Sequence, residues 1–202
     1  MSDPLLGRLR DCRHWVFDMD GTLTVAVHDF PAIKRALGIP QEDDILHHLA
    51  ALPEAEAQAK HAWLLEHERE LAIGSVAAPG AVALVRALQQ RGCRLGILTR
   101  NAHELALLTL TAIGLGDCFD TLDVLGRGEA IPKPHPDGLL RLAERWGVAP
   151  DALTMVGDYR FDLDCARAAG AQGVLVNLSD NPWPELTELH ALDCAALLQL
   201  LA

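Results

Sequence analysis

The sequence predicts an α/β protein with an open, doubly wound parallel sheet and a small helical cap inserted after the first strand. Three observations predict this fold. Four short apolar runs recur along the 202 residues, and a loop and a segment of helical period follow them. Such alternation is typical of parallel sheets built from βαβ units. Residues 25–76 break the rhythm, because they carry helical patterns and no convincing strand.

The apolar runs are predicted to be strands that are buried on both faces. Each has only four to six residues and few polar side chains, as is typical of strands in parallel sheets. In chain order they are residues 14–17, 94–99, 153–157 and 173–177.

The segments after the runs place leucine, alanine and valine at helical spacing and end near a glycine, a common helix terminator. These predicted helices are residues 80–91, 102–113, 137–146 and 162–169, and those of the insertion are 30–37, 43–52 and 54–72. We therefore expect a catalytic core made of residues 1–24 and 77–202, and a helical cap domain made of residues 25–76.

Composition excludes several classes of protein. Half of the residues are apolar, and the net charge of −11 disfavours nucleic acid as a partner because it repels phosphate backbones. No apolar run is long enough to span a bilayer, so we expect no membrane association. Five scattered cysteines without a C-x-x-C pair, and an N-terminus unlike a signal peptide, indicate a cytoplasmic protein. Monomer and homodimer both remain open.

Two carboxylates follow the first predicted strand, in the stretch VFDMDGTLT at residues 16–24. Asp18 and Asp20 would lie at the carboxyl end of that strand, where open α/β sheets bind ligands. One interpretation of this stretch is a tight turn, in which the aspartates accept N–H bonds and Gly21 supplies a positive φ. Alternatively, the two converge on Mg²⁺, Asp18 through its side chain and Asp20 through its backbone carbonyl. Asp18 would then act as a nucleophile, and the Asp20 side chain would be free to carry protons.

Thr99, Arg100 and Asn101 end the second predicted strand. A hydroxyl group and the N–H groups at the start of a helix can bind an anion. The alternative is an ordinary strand end in which Asn101 caps the next helix. Both interpretations are compatible with each other.

Lys133 lies between two prolines in the stretch IPKPHP, which restricts the backbone around it. A lysine held in this way supplies a fixed positive charge for a phosphate or for a nucleophilic carboxylate. The alternative is a solvated lysine in a turn.

Asp158 follows the third predicted strand in the stretch VGDYRFD, and Asp162 comes four residues later. Asp158 could complete a metal site, with Asp162 behind it. Alternatively, Asp158 is a turn residue and Asp162 is a charge that the helix dipole favours.

Taken together and in this order, the four motifs resemble those of the haloacid dehalogenase superfamily, and in particular its phosphoglycolate phosphatase-like branch. The matching stretches are FDMDGTLT, ILTRN, IPKPHPDG and MVGDYRFDLDCARAAG. The resemblance covers most of the chain outside the insertion. It implies a Rossmann-like core and an Mg²⁺-dependent phosphatase that acts on a small phosphorylated metabolite.

The resemblance also implies a role for each acidic and basic group. Asp18 would attack phosphorus to form an aspartyl phosphate, and Asp20 would protonate the leaving alcohol and then deprotonate the hydrolytic water. Mg²⁺ and Lys133 would offset the charge of the transferring group. The metal ligands would be Asp18, Asp20 and Asp158.

The remaining motif residues would bind phosphate or support the site. Thr99 and the N–H groups near Arg100 and Asn101 would hold phosphate oxygens. Asp162 would support the metal or orient Lys133, and two further supporting residues would be Gly21 and Thr22.

The insertion resembles the cap that reads the leaving group in this branch, so we expect specificity to lie there. The polar pair that the branch carries after its first motif is replaced here by residues 25–27, Val-Ala-Val. The resemblance therefore does not extend to phosphoglycolate itself as the substrate. The nearest polar candidates for substrate contact are His28, Lys34 and Arg35.

Two other functions stay open beside the phosphatase. A phosphomutase of the same superfamily would use the same two aspartates and return the phosphoryl group to its substrate. A non-catalytic binding module of the same fold would have no need of an acid/base carboxylate, so the intact set of motif residues disfavours it.

Overall fold

The computed structural model describes residues 4–202. Its strands are β1 (His14–Phe17), β2 (Arg94–Leu98), β3 (Val124–Leu125), β4 (Leu153–Gly157), β5 (Gln172–Leu175) and β6 (Leu189–His190). They form one sheet in the order β3-β2-β1-β4-β5-β6, and every pair of neighbours is parallel. The predicted α/β fold with a parallel sheet is confirmed.

Helices connect and cover the strands. In chain order they are α1 (Pro4–Asp11), α2 (Phe30–Leu37), α3 (Ile45–Ala50), α4 (Glu54–Ile73), α5 (Ala81–Gln90), α6 (His103–Ala112), α7 (Asp137–Trp146), α8 (Arg160–Ala169) and α9 (Cys194–Leu201). Within the described residues, no helix is both long and apolar enough to span a membrane.

β1 lies in the middle of the sheet, so its carboxyl end lies between those of β2 and β4. Val16 is paired with Gly96 of β2 on one side and with Met155 of β4 on the other. The chain first adds strands on the β2 side and then returns to add β4, so the order reverses beside β1. The carboxyl ends of strands at such a switch point form a crevice.

Side-chain alternation along β1 divides the core into two layers. Trp15 and Phe17 are fully buried in one cluster, with residues of α5 and α9. Val16 points to the other face and packs with Leu139 of α7 and Cys165 of α8. A strand that is buried on both faces needs apolar side chains on both, and this accounts for the consecutive residues Trp15, Val16 and Phe17.

Between β1 and α5, the chain forms α2, α3 and α4 with an apolar cluster of their own. Ile33 and Leu37 of α2 pack there with Leu49 of α3 and Leu64 of α4. Asp29 and Asp44 cap α2 and α3 by accepting backbone N–H bonds. We call residues 25–76 the inserted segment; their division from the core as a separate domain stays a prediction.

Four elements were not predicted from the sequence. β3 and β6 have two residues each, too few to show a period. The apolar positions of α9 lie in an almost uninterrupted run, and α1 is short and rich in charge. The predicted helix 162–169 begins two residues earlier, at Arg160, because the N–H of Tyr159 donates to the Asp162 carboxylate in a capping arrangement.

Candidate active site

The carboxyl ends of three neighbouring strands bring the motif residues together. Asp18 follows β1, Thr99 follows β2, and Asp158 follows β4. The N–H of Asp18 donates to the carbonyl of Val156 at 2.9 Å, which continues the β1–β4 pairing as far as the first carboxylate. Lys133 reaches the same point from the loop between β3 and α7.

Lys133 joins two buried carboxylates. Its Nζ lies 2.5 Å from Oδ1 of Asp18 and 2.7 Å from Oδ1 of Asp162, and the lysine is only 3% exposed. Burial disfavours the ammonium form, but the carboxylates of Asp162 and Asp18 outweigh it, so the pKa of Lys133 is raised. The group therefore keeps its proton and presents a fixed positive charge beside Asp18.

Thr22 and Gly21 allow the first and fourth motifs to approach closely. The Thr22 hydroxyl lies 2.9 Å from Oδ1 of Asp158 and 3.3 Å from Oδ2 of Asp18. Gly21 has a φ of +87°, and a Cβ there would lie 2.3 Å from Oδ2 of Asp158. Asn177 holds this turn, because its Nδ2 donates to the carbonyls of Gly21 and Thr22 at 2.7 and 2.9 Å.

Three carboxylates could hold a divalent cation. Asp18, Asp158 and Asp162 each offer a ligand atom, and these atoms lie within 4.8 Å of one another. Burial and neighbouring carboxylates raise the pKa of Asp158 to about 8, and burial raises that of Asp162 to about 6 against the opposing charge of Lys133. One ammonium group leaves this negative charge only partly compensated, so the oxygen donors fit Mg²⁺.

The Asp20 side chain points away from those three carboxylates. Its Oδ2 accepts a bond of 2.6 Å from Nδ2 of Asn101, and its Oδ1 lies 3.8 Å from Nδ1 of His28. Burial and the nearby Asp18 raise the pKa of Asp20 to about 7. The metal contact that was predicted for Asp20 would therefore have to come from its backbone carbonyl.

In the second motif, ILTRN, the side chains of Thr99 and Arg100 make different kinds of contact. The Thr99 hydroxyl accepts a bond of 3.1 Å from the N–H of Asn101, which orders the turn after β2. The Arg100 side chain extends to Asp44 of the inserted segment, where Nη2 lies 2.5 Å from Oδ2, and its guanidinium lies over the Phe161 ring at 5.0 Å. A phosphate contact by Arg100 would thus fall to its backbone N–H and stays a prediction.

The three candidates for substrate contact in the inserted segment differ in whether they line the cavity. His28 and Lys34 line a cavity of about 560 Å³ above Asp18 and Asp20. Arg35 is exposed and is not among the residues that line this cavity. Neighbouring residues on a helix diverge by about 100°, so Lys34 and Arg35 of α2 do not share a face.

Contacts between the inserted segment and the core could not be predicted from the sequence, because their partners are far apart in the chain. Nη1 of Arg127 lies 2.9 Å from both carboxylate oxygens of Glu68 on α4 and donates to Oε1. Glu68 is buried, and its pKa is raised by burial although Arg127 opposes the shift. The Arg100–Asp44 pair makes a second such bridge, 56 residues apart in sequence.

A family model described as haloacid dehalogenase-like hydrolase matches residues 12–170. The match includes the inserted segment and every predicted catalytic and metal-binding residue described above. The chain belongs to this family of hydrolases.

Individual relatives agree with this assignment. The chain is 32% identical over 185 residues to a haloacid dehalogenase-like hydrolase domain-containing protein of Arabidopsis thaliana, covering 84% of this chain and 73% of that protein. It is 33% identical over 194 residues to the phosphoglycolate phosphatase of Rhodospirillum rubrum, covering 80% and 78%. The crystal structure of a hydrolase from Pseudomonas syringae shares the fold, with a TM-score of 0.76, 23% identity and coverage of 93% and 96%.

Proposed function

We propose that this hydrolase is an Mg²⁺-dependent phosphatase that cleaves a small phosphomonoester through an aspartyl phosphate on Asp18. The observation that carries the proposal is the separation of two neighbouring aspartates into different environments. Asp18 contacts Lys133 and lies among the candidate metal ligands, whereas Asp20 contacts Asn101 and has a pKa raised to about 7. The positive charge of Lys133 thus lies against Asp18, whereas Asp20 is able to carry a proton.

Asp18 would attack phosphorus while the bond from phosphorus to the ester oxygen breaks. Asp20, held by Asn101, would give its proton to the departing alkoxide. Asp20 would then take a proton from water as that water attacks phosphorus, which frees Asp18 and releases inorganic phosphate. Lys133 would keep its proton throughout and offset the negative charge on the transferred group.

The metal would be held by Asp18 and Asp158, with Asp162 beside them. When bound, Mg²⁺ supplies positive charge that stabilises the phosphoryl group during transfer. Thr99 and the N–H groups at the start of α6 are the proposed donors to the phosphate oxygens. The inserted segment would cover the site as a cap and exclude bulk water.

The test of this function is phosphate release from a panel of phosphorylated metabolites, phosphoglycolate included. We expect release with Mg²⁺, a loss of at least about 100-fold with a chelator, and recovery when Mg²⁺ is added back. Equal rates with and without chelator would contradict the metal site. An isomerised sugar phosphate without phosphate release would indicate a phosphomutase instead.

Asp20→Asn is expected to lower kcat by about 10²- to 10⁴-fold, the range for loss of a general acid and base. The amide can still accept the Asn101 bond, so the geometry of the turn should persist. Rapid-quench kinetics should show both formation and breakdown of the phosphoenzyme slowed. Asp151→Asn, an exposed residue just before the opposite end of β4, is the matched control. A normal time course in Asp20→Asn would remove Asp20 from the mechanism.

A further inference from the structure

The cavity above Asp18 has two chemically different walls. The core supplies the catalytic groups, and the inserted segment supplies the wall that would face the leaving alcohol. We use the name outer wall for seven of its residues: Phe30, Ile33, Glu42, Asp43, Asp44, Ile45 and Leu46. The same segment also contributes Ala26, His28, Lys34, Leu64 and Glu68 to the lining. The outer wall combines four apolar side chains with three consecutive acidic residues.

The basic groups near the outer wall are already engaged. Arg100 is paired with Asp44 and lies over Phe161. Lys34 donates from Nζ to the carbonyl of Gln41 at 2.7 Å. His28 lies beside Asp20, with 3.8 Å between its Nδ1 and Oδ1 of that carboxylate.

The acidic groups are less completely compensated. Oδ2 of Asp43 lies 2.8 Å from Nδ1 of His48, which is outside the cavity lining. Glu42 is exposed at the rim. The formal charges of the outer wall and of the two neighbouring cations, Lys34 and Arg100, are three negative against two positive. Glu68 also lines the cavity, but it is paired with Arg127.

We infer that the substrate is the phosphomonoester of an uncharged or cationic alcohol with an apolar part, and that a second anionic group is disfavoured. This inference rests on the proposed phosphatase function and names its substrate class. The phosphate would bind among the core groups, and the carbon skeleton would contact Phe30, Ile33 and Leu46. A carboxylate on that skeleton would meet acidic side chains, and the guanidinium of Arg100 that lines the cavity is committed to Asp44.

The test compares three phosphomonoesters with one two-carbon skeleton and different end groups. They are phosphoglycolate, which ends in a carboxylate, 2-hydroxyethyl phosphate, which is neutral there, and O-phosphoethanolamine, which ends in an ammonium group. We expect kcat/KM for the neutral and cationic esters to exceed that for phosphoglycolate by about tenfold or more at low ionic strength, because one unit charge faces a net negative wall. Added salt should reduce the ratio.

A variant that removes two acidic charges tests whether the outer wall causes this substrate preference. Glu42→Gln with Asp43→Asn should raise kcat/KM for phosphoglycolate. The ratio of kcat/KM for the neutral ester to kcat/KM for phosphoglycolate should therefore fall by at least about threefold. Glu144→Gln with Asp151→Asn removes the same charge from exposed positions elsewhere and should leave the ratio unchanged. The new amide at position 43 can still bond to His48, so the wall should keep its shape.

The outcomes separate the two proposals. Phosphoglycolate cleaved as fast as the neutral ester, or a ratio that is unaltered in the outer-wall variant, would overturn the inference while the phosphatase function stands. Absence of phosphate release from all three esters and from phenyl phosphate, with Mg²⁺ present, would contradict the phosphatase function and the inference with it.

Discussion

Asp18→Asn is expected to abolish phosphate release, with kcat lowered by about 10⁴-fold or more, while the protein stays folded. The amide has no charge with which to attack phosphorus, so the covalent route through the aspartyl phosphate is closed. The fold should persist because Lys133 keeps its bond to Asp162, and because the amide oxygen can still accept from Lys133. Phosphate release and thermal unfolding, measured on the same preparation, check both parts.

A trapping experiment makes this prediction specific to a nucleophile. Native protein that is mixed with ³²P-labelled substrate and quenched in acid should carry label that hydroxylamine removes, and Asp18→Asn should carry none. Asp151→Asn, the same substitution at an exposed position, should label like the native chain. Turnover in Asp18→Asn above about one hundredth of the native rate would exclude Asp18 as the nucleophile.

Much of this site could be predicted because its chemistry follows local strand patterns. The run His14–Phe17 is apolar at nearly every position, and a parallel sheet places the ends of such strands side by side. Asp18, Thr99 and Asp158 are therefore brought together by the order of elements alone. No knowledge of long-range pairing was needed to expect them at one edge.

Other features of the site and the fold could not be predicted, because they depend on contacts between residues that are far apart in the sequence. Arg100 is bonded to Asp44, and Arg127 to Glu68, across 56 and 59 residues respectively. From the sequence, the N–H groups near Arg100 were assigned to the phosphate, and the partner of the Arg100 side chain could not be predicted. Two-residue strands such as β3 are also invisible, since pairing with β2 rather than their own composition defines them.

Asp162 makes one contact within its own helix and one in the buried site. As a carboxylate in the first turn of α8, it accepts from the N–H of Tyr159, which is the structural role that helix capping predicts. Its other oxygen accepts from Lys133 in the buried site. Local helix chemistry thus fixes the position of the side chain that is bonded to Lys133.

Lys133→Met is expected to lower both activity and stability, because it removes the ammonium group that joins Asp18 and Asp162. Breaking a buried charge pair by removing one partner costs about 3–5 kcal/mol. For a chain of this size, that lowers the thermal midpoint by roughly 10 °C. The loss of charge beside the nucleophile should lower kcat by about 10³-fold or more.

The loss of stability in Lys133→Met should depend on pH, because the carboxyl groups of Asp18 and Asp162 remain without the lysine. Without Lys133, burial and mutual repulsion raise the pKa of Asp162 above the value of about 6 that it has beside the lysine. A carboxyl group whose pKa is raised by folding stabilises the folded state at low pH, and this contribution is lost as pH rises. In chelator, Lys133→Met should therefore be closer to the native stability at pH 5 than at pH 8.

A double variant distinguishes the structural role of Lys133 from its catalytic one. Lys133→Met with Asp162→Asn removes one of the two carboxylates that the lysine had bridged, so it should recover part of the lost stability, about 1 kcal/mol or more. It should recover no activity, since the nucleophile still lacks its fixed positive charge. Recovery of kcat together with the thermal midpoint would show that Lys133 acts only by holding the fold. An unaltered midpoint in the single variant would mean that the lysine does not bridge these carboxylates.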